Sequence, residues 1–108
     1  MSEMIYETYA RAQLWFELGD PTEAARLLAP LAEQDPPNKS LLELLGRAYF
    51  HSAQLRRAEA TFRALIDLDP CDDWAHIALA RALERQARDD EANRHRRLHS
   101  AMAGGSRD

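Results

Sequence analysis

The segment that decides the fold is residues 42–70, which read LELLGRAYFHSAQLRRAEATFRALIDLDP. Its first half spaces apolar residues at i, i+3 and i+7, which is one face of a helix: Leu42, Leu45 and Tyr49. Its second half places Ala58 and Phe62 four residues apart, on one face of another helix. Pro70 ends that helix, because the residue before a proline avoids helical backbone angles. The segment therefore predicts two helices joined by a short turn.

The pattern of this segment recurs along the chain with a period of 34 residues. Alanines align in all three copies: Ala24, Ala58 and Ala92. Prolines align in the first two copies, as Pro36 and Pro70, and small residues align at the turns: Gly19, Ala53 and Ala87. A constant period of this length is typical of helical repeat proteins. We therefore predict three helix-turn-helix units, at about 5–38, 39–72 and 73–106, within a single domain, 1–108.

The middle unit resembles the tetratricopeptide repeat. It carries Leu42-x2-Leu45-Gly46-x2-Tyr49, then Ala58-x3-Phe62, then Pro70, and Leu42 stands where the family usually has tryptophan. Gly46 lets the second helix approach closely, and the Phe62 ring fills the space beside Ala58. The resemblance implies an all-α fold, a right-handed superhelix of three helical hairpins, as in a tetratricopeptide solenoid.

The two outer units depart from this pattern. In the first unit, Trp15, Ala12 and Leu28 replace the tyrosine, glycine and phenylalanine of the middle unit. In the third unit, Arg96 and His99 stand where the middle unit has Phe62 and Leu65. The last helix is therefore far more polar than the others. End repeats of a solenoid need a wettable outer face, so we predict that this helix acts as a polar cap.

Six helices are predicted, at about 5–18, 22–34, 39–52, 55–68, 73–86 and 89–102. Residues 20–23 are a good helix start, with Asp20 as the cap, Pro21 at the first helical position and glutamate three residues after the cap. Asp72 and Asp73 can cap the fifth helix. The tail, 103–108, is rich in glycine and is predicted to be mobile.

The charge and cysteine content limit the class of protein. The formal net charge is -4, which argues against a general nucleic-acid binder. The single cysteine, Cys71, rules out an internal disulfide and suits a reducing compartment. The chain begins without the basic and apolar stretches of a secretory signal. No apolar run approaches the roughly 20 residues that span a bilayer. We therefore predict a cytoplasmic protein without a membrane partner.

Catalytic and metal-binding constellations are not recognisable in the sequence. It has neither a glycine-rich phosphate loop nor a Gly-x-Ser-x-Gly motif. Cys71 is interpreted as an exposed turn residue rather than a reactive thiol. His95 and His99 are four residues apart, but the neighbouring arginines, Arg96 and Arg97, repel a cation. We therefore expect neither enzymatic activity, nor a cofactor, nor a metal.

The resemblance also implies a binding surface, because the first helix of each unit in this family lines the concave side. The first helix of the middle unit would also bring Ser40, Glu43 and Phe50 to this side. The residues proposed to bind a partner in the groove are Tyr6, Tyr9, Gln13, Phe16, Arg47, His51, Trp74, Ile77, Arg81 and Arg85. Tyrosine, tryptophan and arginine are enriched at binding hot spots. In the alternative interpretation, Phe16 and Phe50 pack between helices and the arginines are merely solvated.

The partner predicted from these residues is a protein or peptide that is acidic and partly apolar, since arginines pair with carboxylates and aromatic rings contact apolar groups. The lysine, asparagine and arginine clamp of the family's chaperone-tail receptors is not recognisable here. The leading interpretation is thus a scaffold or adaptor. The alternative is self-assembly, with a homodimer formed through Met4, Ile5 and Tyr9 of the first helix.

Overall fold

The computed structural model describes the backbone of residues 3–106 and the side chains of residues 3–98 apart from Arg96. These residues form five helices and no strand. The helices are α1 (Glu3–Glu17), α2 (Pro21–Gln34), α3 (Lys39–His51), α4 (Leu55–Leu68) and α5 (Asp73–Ser106). Each of the first four begins and ends within two residues of its predicted bounds. The all-α prediction is confirmed.

The helix caps follow from the sequence. The Asp20 carboxylate accepts a hydrogen bond from the Glu23 amide at 3.0 Å, and Pro21 is the first residue of α2. The Asp72 carboxylate accepts one from the Ala75 amide at 3.1 Å, so Asp72 caps α5 as predicted. Each of these bonds satisfies a backbone donor that has no partner within its helix.

The two turns within the helix pairs are built on left-handed backbone. Gly19, between α1 and α2, has a φ of 88°, and Ala53, between α3 and α4, has a φ of 60°. Glycine adopts this region at little cost, whereas alanine does so with strain. The turn at Ala53 is held by the Ser52 hydroxyl, which donates to the Ala48 carbonyl at 2.7 Å.

The third unit differs from its prediction. The chain does not turn back near residue 87, and the predicted helices 73–86 and 89–102 are one continuous helix, α5. The prediction that a separate polar helix packs back as a cap is therefore wrong, because residues 89–106 continue α5. The helix continues through 103–106, the mobility of the tail stays a prediction, and residues 107–108 lie outside the described part. The unit boundaries also stay predictions.

The missing turn has a local cause. Ala87 occupies the repeat position of Gly19 and Ala53, but the residues that follow it, 88–91, are all charged. Glutamine, alanine and arginine at 86–88 all favour helix. Folding back would also bring Arg96 and His99, rather than apolar side chains, onto α5. The sequence thus favours continuing the helix over reversing it.

The core lies between successive helices. The largest cluster joins α1, α2 and α3, with Leu28 and Leu41 fully buried at its centre. A second cluster joins α3, α4 and α5 through Leu42, Leu65 and Ala75. A third places Phe62 of α4 against Ala82 of α5. Together they stack the helices in chain order and leave one side of α1, α3 and α5 open.

Two polar contacts link α4, or the residue just after it, to the neighbouring helices α3 and α5. The Lys39 ammonium at the start of α3 lies 2.7 Å from the Asp69 carboxylate just after α4. The Gln86 amide donates to the Glu59 carboxylate at 2.8 Å and so joins α5 to α4. Within the described residues, α1 to α5 include no helix that is long and apolar enough to cross a membrane.

Candidate functional site

Aromatic rings and arginines connect α1, α3 and α5 on their open side, which we name the groove face. The Arg47 guanidinium of α3 lies 4.8 Å from the centre of the Phe16 ring of α1. The Phe16 ring also meets the edge of His51, with 5.6 Å between ring centres. The Arg85 guanidinium of α5 lies 4.9 Å from the centre of the Phe50 ring of α3. The groove face is therefore one connected surface.

A cleft of about 200 Å³ opens in the groove face between α3 and α5, and we name it the α3/α5 cleft. It is lined by Arg47, Phe50, His51, Phe62, Trp74, Ile77, Ala78 and Arg81. Phe62, which is only 2% exposed, belongs to the core and forms part of the lining. The Trp74 ring stands edge-on to it at 5.7 Å. The cleft thus combines aromatic and apolar groups with two guanidinium groups.

The groove face carries three arginines, and Glu43 of α3 lies near Tyr9 on the same side. Among the described residues, no acidic side chain lies within ion-pair distance of Arg47, Arg81 or Arg85. The pKa of Tyr9 on α1 is raised above its ordinary value, mainly by partial burial and then by the negative charge of Glu43, while Arg47 opposes the rise. Positive charge is therefore available on this face for a ligand that brings carboxylates.

The structure brings most of the predicted groove residues together. Five of them line the α3/α5 cleft: Arg47, His51, Trp74, Ile77 and Arg81. Phe16 and Arg85 join it through ring stacking. Tyr9 is half-buried against the core of α1, α2 and α3, whereas Tyr6 and Gln13 are exposed on α1 and are not part of the cleft.

The two interpretations of the aromatic residues both apply. Phe16 and Phe50 are half-buried and pack beside the core, and each also carries an arginine on its ring face. The sequence did not indicate that Phe62 reaches the cleft, because its repeat position marks it as a core residue. The sequence feature that could have indicated this position of Phe62 is Gly46, whose missing side chain leaves room for the Phe62 ring.

Residues with reactive side chains do not form a second site. Cys71 is exposed in the turn before α5, as predicted, and its amide donates to the Asp69 carboxylate at 3.2 Å. Within residues 3–98 whose side chains are described, no three acidic, histidine or cysteine groups are placed to hold a metal ion. The second member of the predicted pair, His95 and His99, has its side chain outside the described residues.

Sequence comparison identifies the helix pairs around this face. The profile of the tetratricopeptide repeat matches residues 16–70, about half of the chain, from the end of α1 to the end of α4. The chain belongs to the tetratricopeptide repeat family. The predicted resemblance is therefore confirmed. Tetratricopeptide repeats generally mediate protein–protein interactions and are generally not catalytic.

Structural comparison agrees with this assignment. A solved structure of a MamA point mutant superposes with a TM-score of 0.74 and 23% sequence identity, covering 89% of this tetratricopeptide repeat protein and 70% of that chain. At this level of identity the likeness shows the fold alone. No curated protein sequence matches the chain at a significant level.

Proposed function

We propose that this tetratricopeptide repeat protein is a scaffold or adaptor that binds a segment of a partner protein along the groove face. The observation that carries the proposal is the set of three arginines without ion pairs among the described residues, two of them stacked on phenylalanine rings beside an apolar cleft. We further propose that it acts in the cytoplasm, by binding rather than by catalysis, and without a cofactor.

The stacked arginines are suited to a carboxylate ligand. An arginine over an aromatic ring gains about 0.5–1 kcal/mol at an exposed site. Among the described residues neither guanidinium makes an ion pair, so its N–H donors can make a bidentate contact with a carboxylate of the partner. Holding the side chain in place also lowers the entropy lost on binding. Arg47 and Arg85 are in this sense prepared for an acidic partner.

The net charge of the chain acts against an acidic partner. The formal charge is -4, so attraction has to come from the local arginine cluster. Charges exposed to solvent are screened beyond about 8 Å at physiological ionic strength. We therefore expect partner binding to weaken as salt is added, through slower association.

Replacing Arg81 by glutamate tests the proposal. We expect Arg81→Glu to weaken binding of the native partner, recovered from host lysate, at least tenfold, which is about 1.4 kcal/mol. The fold should survive, since an exposed helix position tolerates either residue. Binding is measured by titration with the purified partner.

The matched control is Arg56→Glu in the first turn of α4. Arg56 is exposed like Arg81 but lies away from the α3/α5 cleft. This variant makes the same change in net charge and should bind the partner almost as well as the parent. Equal binding by both variants would mean that the partner does not use the groove face.

The second candidate function is self-assembly through α1, by a set of residues that differs from the predicted one. Ile5 and Tyr9, two of the three residues predicted to meet a second copy, pack against the core instead. The third, Met4, is exposed on the opposite, free side of α1, and this side also carries three exposed apolar residues at or just after its end: Leu14, Trp15 and Leu18. Exposed apolar residues that lie close together, as Leu14, Trp15 and Leu18 do at the end of α1, often mark an interaction site. This observation favours a homodimer through the free side of α1.

Light scattering tests the self-assembly candidate. A homodimer formed through this side should have twice the monomer mass at high micromolar concentration, and Leu18→Glu should restore the monomer, because it places a charge inside an apolar contact. A monomer mass for the parent chain at the highest soluble concentration would exclude a stable dimer.

A further inference from the structure

The α3/α5 cleft is too small for a large ligand and is already formed in the free protein. Pockets for drug-sized molecules occupy roughly 300–1,000 Å³, whereas this cleft occupies about 200 Å³. Its rings hold one another in place: Trp74 stands edge-on to Phe62, and Phe50 stands edge-on to His51 at 5.5 Å. A cleft of this size, lined by rings that contact one another, suits one large apolar side chain.

The two arginines of the cleft come from different helices. Arg47 belongs to α3 and is held over the Phe16 ring, and Arg81 belongs to α5. Both are exposed and neither has an ion pair among the described residues. A ligand that fills the space between α3 and α5 therefore meets a guanidinium contributed by each of them.

Resting on the proposed function, we infer that the groove face recognises an internal segment in which one large apolar residue is flanked on both sides by acidic residues. The apolar side chain enters the α3/α5 cleft beside Trp74 and Ile77, and the flanking carboxylates pair with Arg47 and Arg81. The segment needs no free chain end, because side-chain carboxylates can pair with both guanidinium groups. The required partner sequence is short, acidic and centred on one leucine-sized residue.

Blocked synthetic peptides test this specificity directly. The probe is a heptapeptide, acetylated and amidated, with a central leucine and three glutamates on each side. One comparison peptide has a central alanine, and another replaces the glutamates by glutamines. Trp74 reports on the cleft once Trp15→Phe has removed the other tryptophan, which lies on the free side of α1.

We expect the leucine–glutamate peptide to change the Trp74 emission in a saturable manner. Its dissociation constant should be at least tenfold lower than those of the alanine and glutamine peptides. Arg47→Gln and Arg81→Gln are each made in the Trp15→Phe chain. Each should weaken binding of the leucine–glutamate peptide several-fold and leave binding of the glutamine peptide nearly unchanged. Far-ultraviolet circular dichroism checks that the variants remain folded.

Equal affinity for the three peptides, or no saturable response to the leucine–glutamate peptide, would overturn the inference. The proposed function would still stand if Arg81→Glu weakened binding of the native partner while Arg56→Glu did not. If the leucine–glutamate peptide binds as expected but Arg81→Glu leaves the native partner unaffected, the specificity of the cleft is upheld and the partner uses another surface.

Discussion

Replacing Phe62 by alanine is expected to lower the free energy of unfolding by about 3–5 kcal/mol, the usual cost of removing a buried phenylalanine ring. The ring is the largest fully buried side chain and packs with Ala58 and Ala82 where α4 meets α5. It also covers Gly46, where an added Cβ would lie 2.7 Å from the Phe62 Cδ1 atom and closer still to Cε1. Alanine would therefore leave a cavity among α3, α4 and α5.

Urea unfolding followed by circular dichroism measures this loss. A protein of this length has a total stability of only about 5–15 kcal/mol, so Phe62→Ala should unfold at a much lower urea concentration. The control is Leu98→Ala, which removes an exposed apolar side chain of α5 and should change stability by less than about 0.5 kcal/mol. Similar stability of the two variants would place Phe62 outside the core.

Two leucine-to-alanine variants are expected to differ strongly because α5 does not fold back. Leu45 of α3 is buried in the core, so Leu45→Ala should lower the free energy of unfolding by about 2–5 kcal/mol. Leu83 of α5 is 40% exposed, since the helix that would have covered it continues along the axis instead. We expect Leu83→Ala to cost less than about 1 kcal/mol, because little apolar area returns to water.

The comparison of these variants also tests the C-terminal half of α5. Leu83 stands at the repeat position of Tyr49, which is half-buried beside α4. A third helical hairpin would bury more of Leu83, and Leu83→Ala would then lower the free energy of unfolding by about 2 kcal/mol or more. The same urea titration measures both variants. A large loss for Leu83→Ala would show that residues 89–106 pack back against α5 in solution.

The helices could be predicted where local chemistry and the repeat agree. Asp20 with Pro21 starts α2, and Asp72 caps α5, because a side-chain oxygen at these positions satisfies a free backbone amide. The period also predicted a turn at Ala87, and this prediction was wrong because α5 continues through that residue. The period marks equivalent positions, whereas a turn also needs an apolar helix to follow it, and the residues after Ala87 are mostly polar.

The candidate site could be predicted in part. Helical spacing placed Trp74, Ile77 and Arg81 on one face of the fifth helix, and the structure has all three in the cleft. The stacking of Arg47 on Phe16 could not be predicted, because it depends on how close α1 and α3 lie. The free side of α1 was missed for the same reason: only packing decides whether Ile5 or Leu18 is covered.

Site-specific crosslinking of the native complex tests the central claim, binding along the groove face, most directly. A photoreactive phenylalanine analogue replaces Ile77, which is 56% exposed in the α3/α5 cleft, or Leu68, which is 41% exposed at the end of α4 and outside the cleft. A third position, Leu18, samples the free side of α1. We predict an efficient crosslink to the partner from position 77 and little from positions 68 and 18. Crosslinks from position 68 or 18 with none from position 77, in a complex that still forms, would contradict the account.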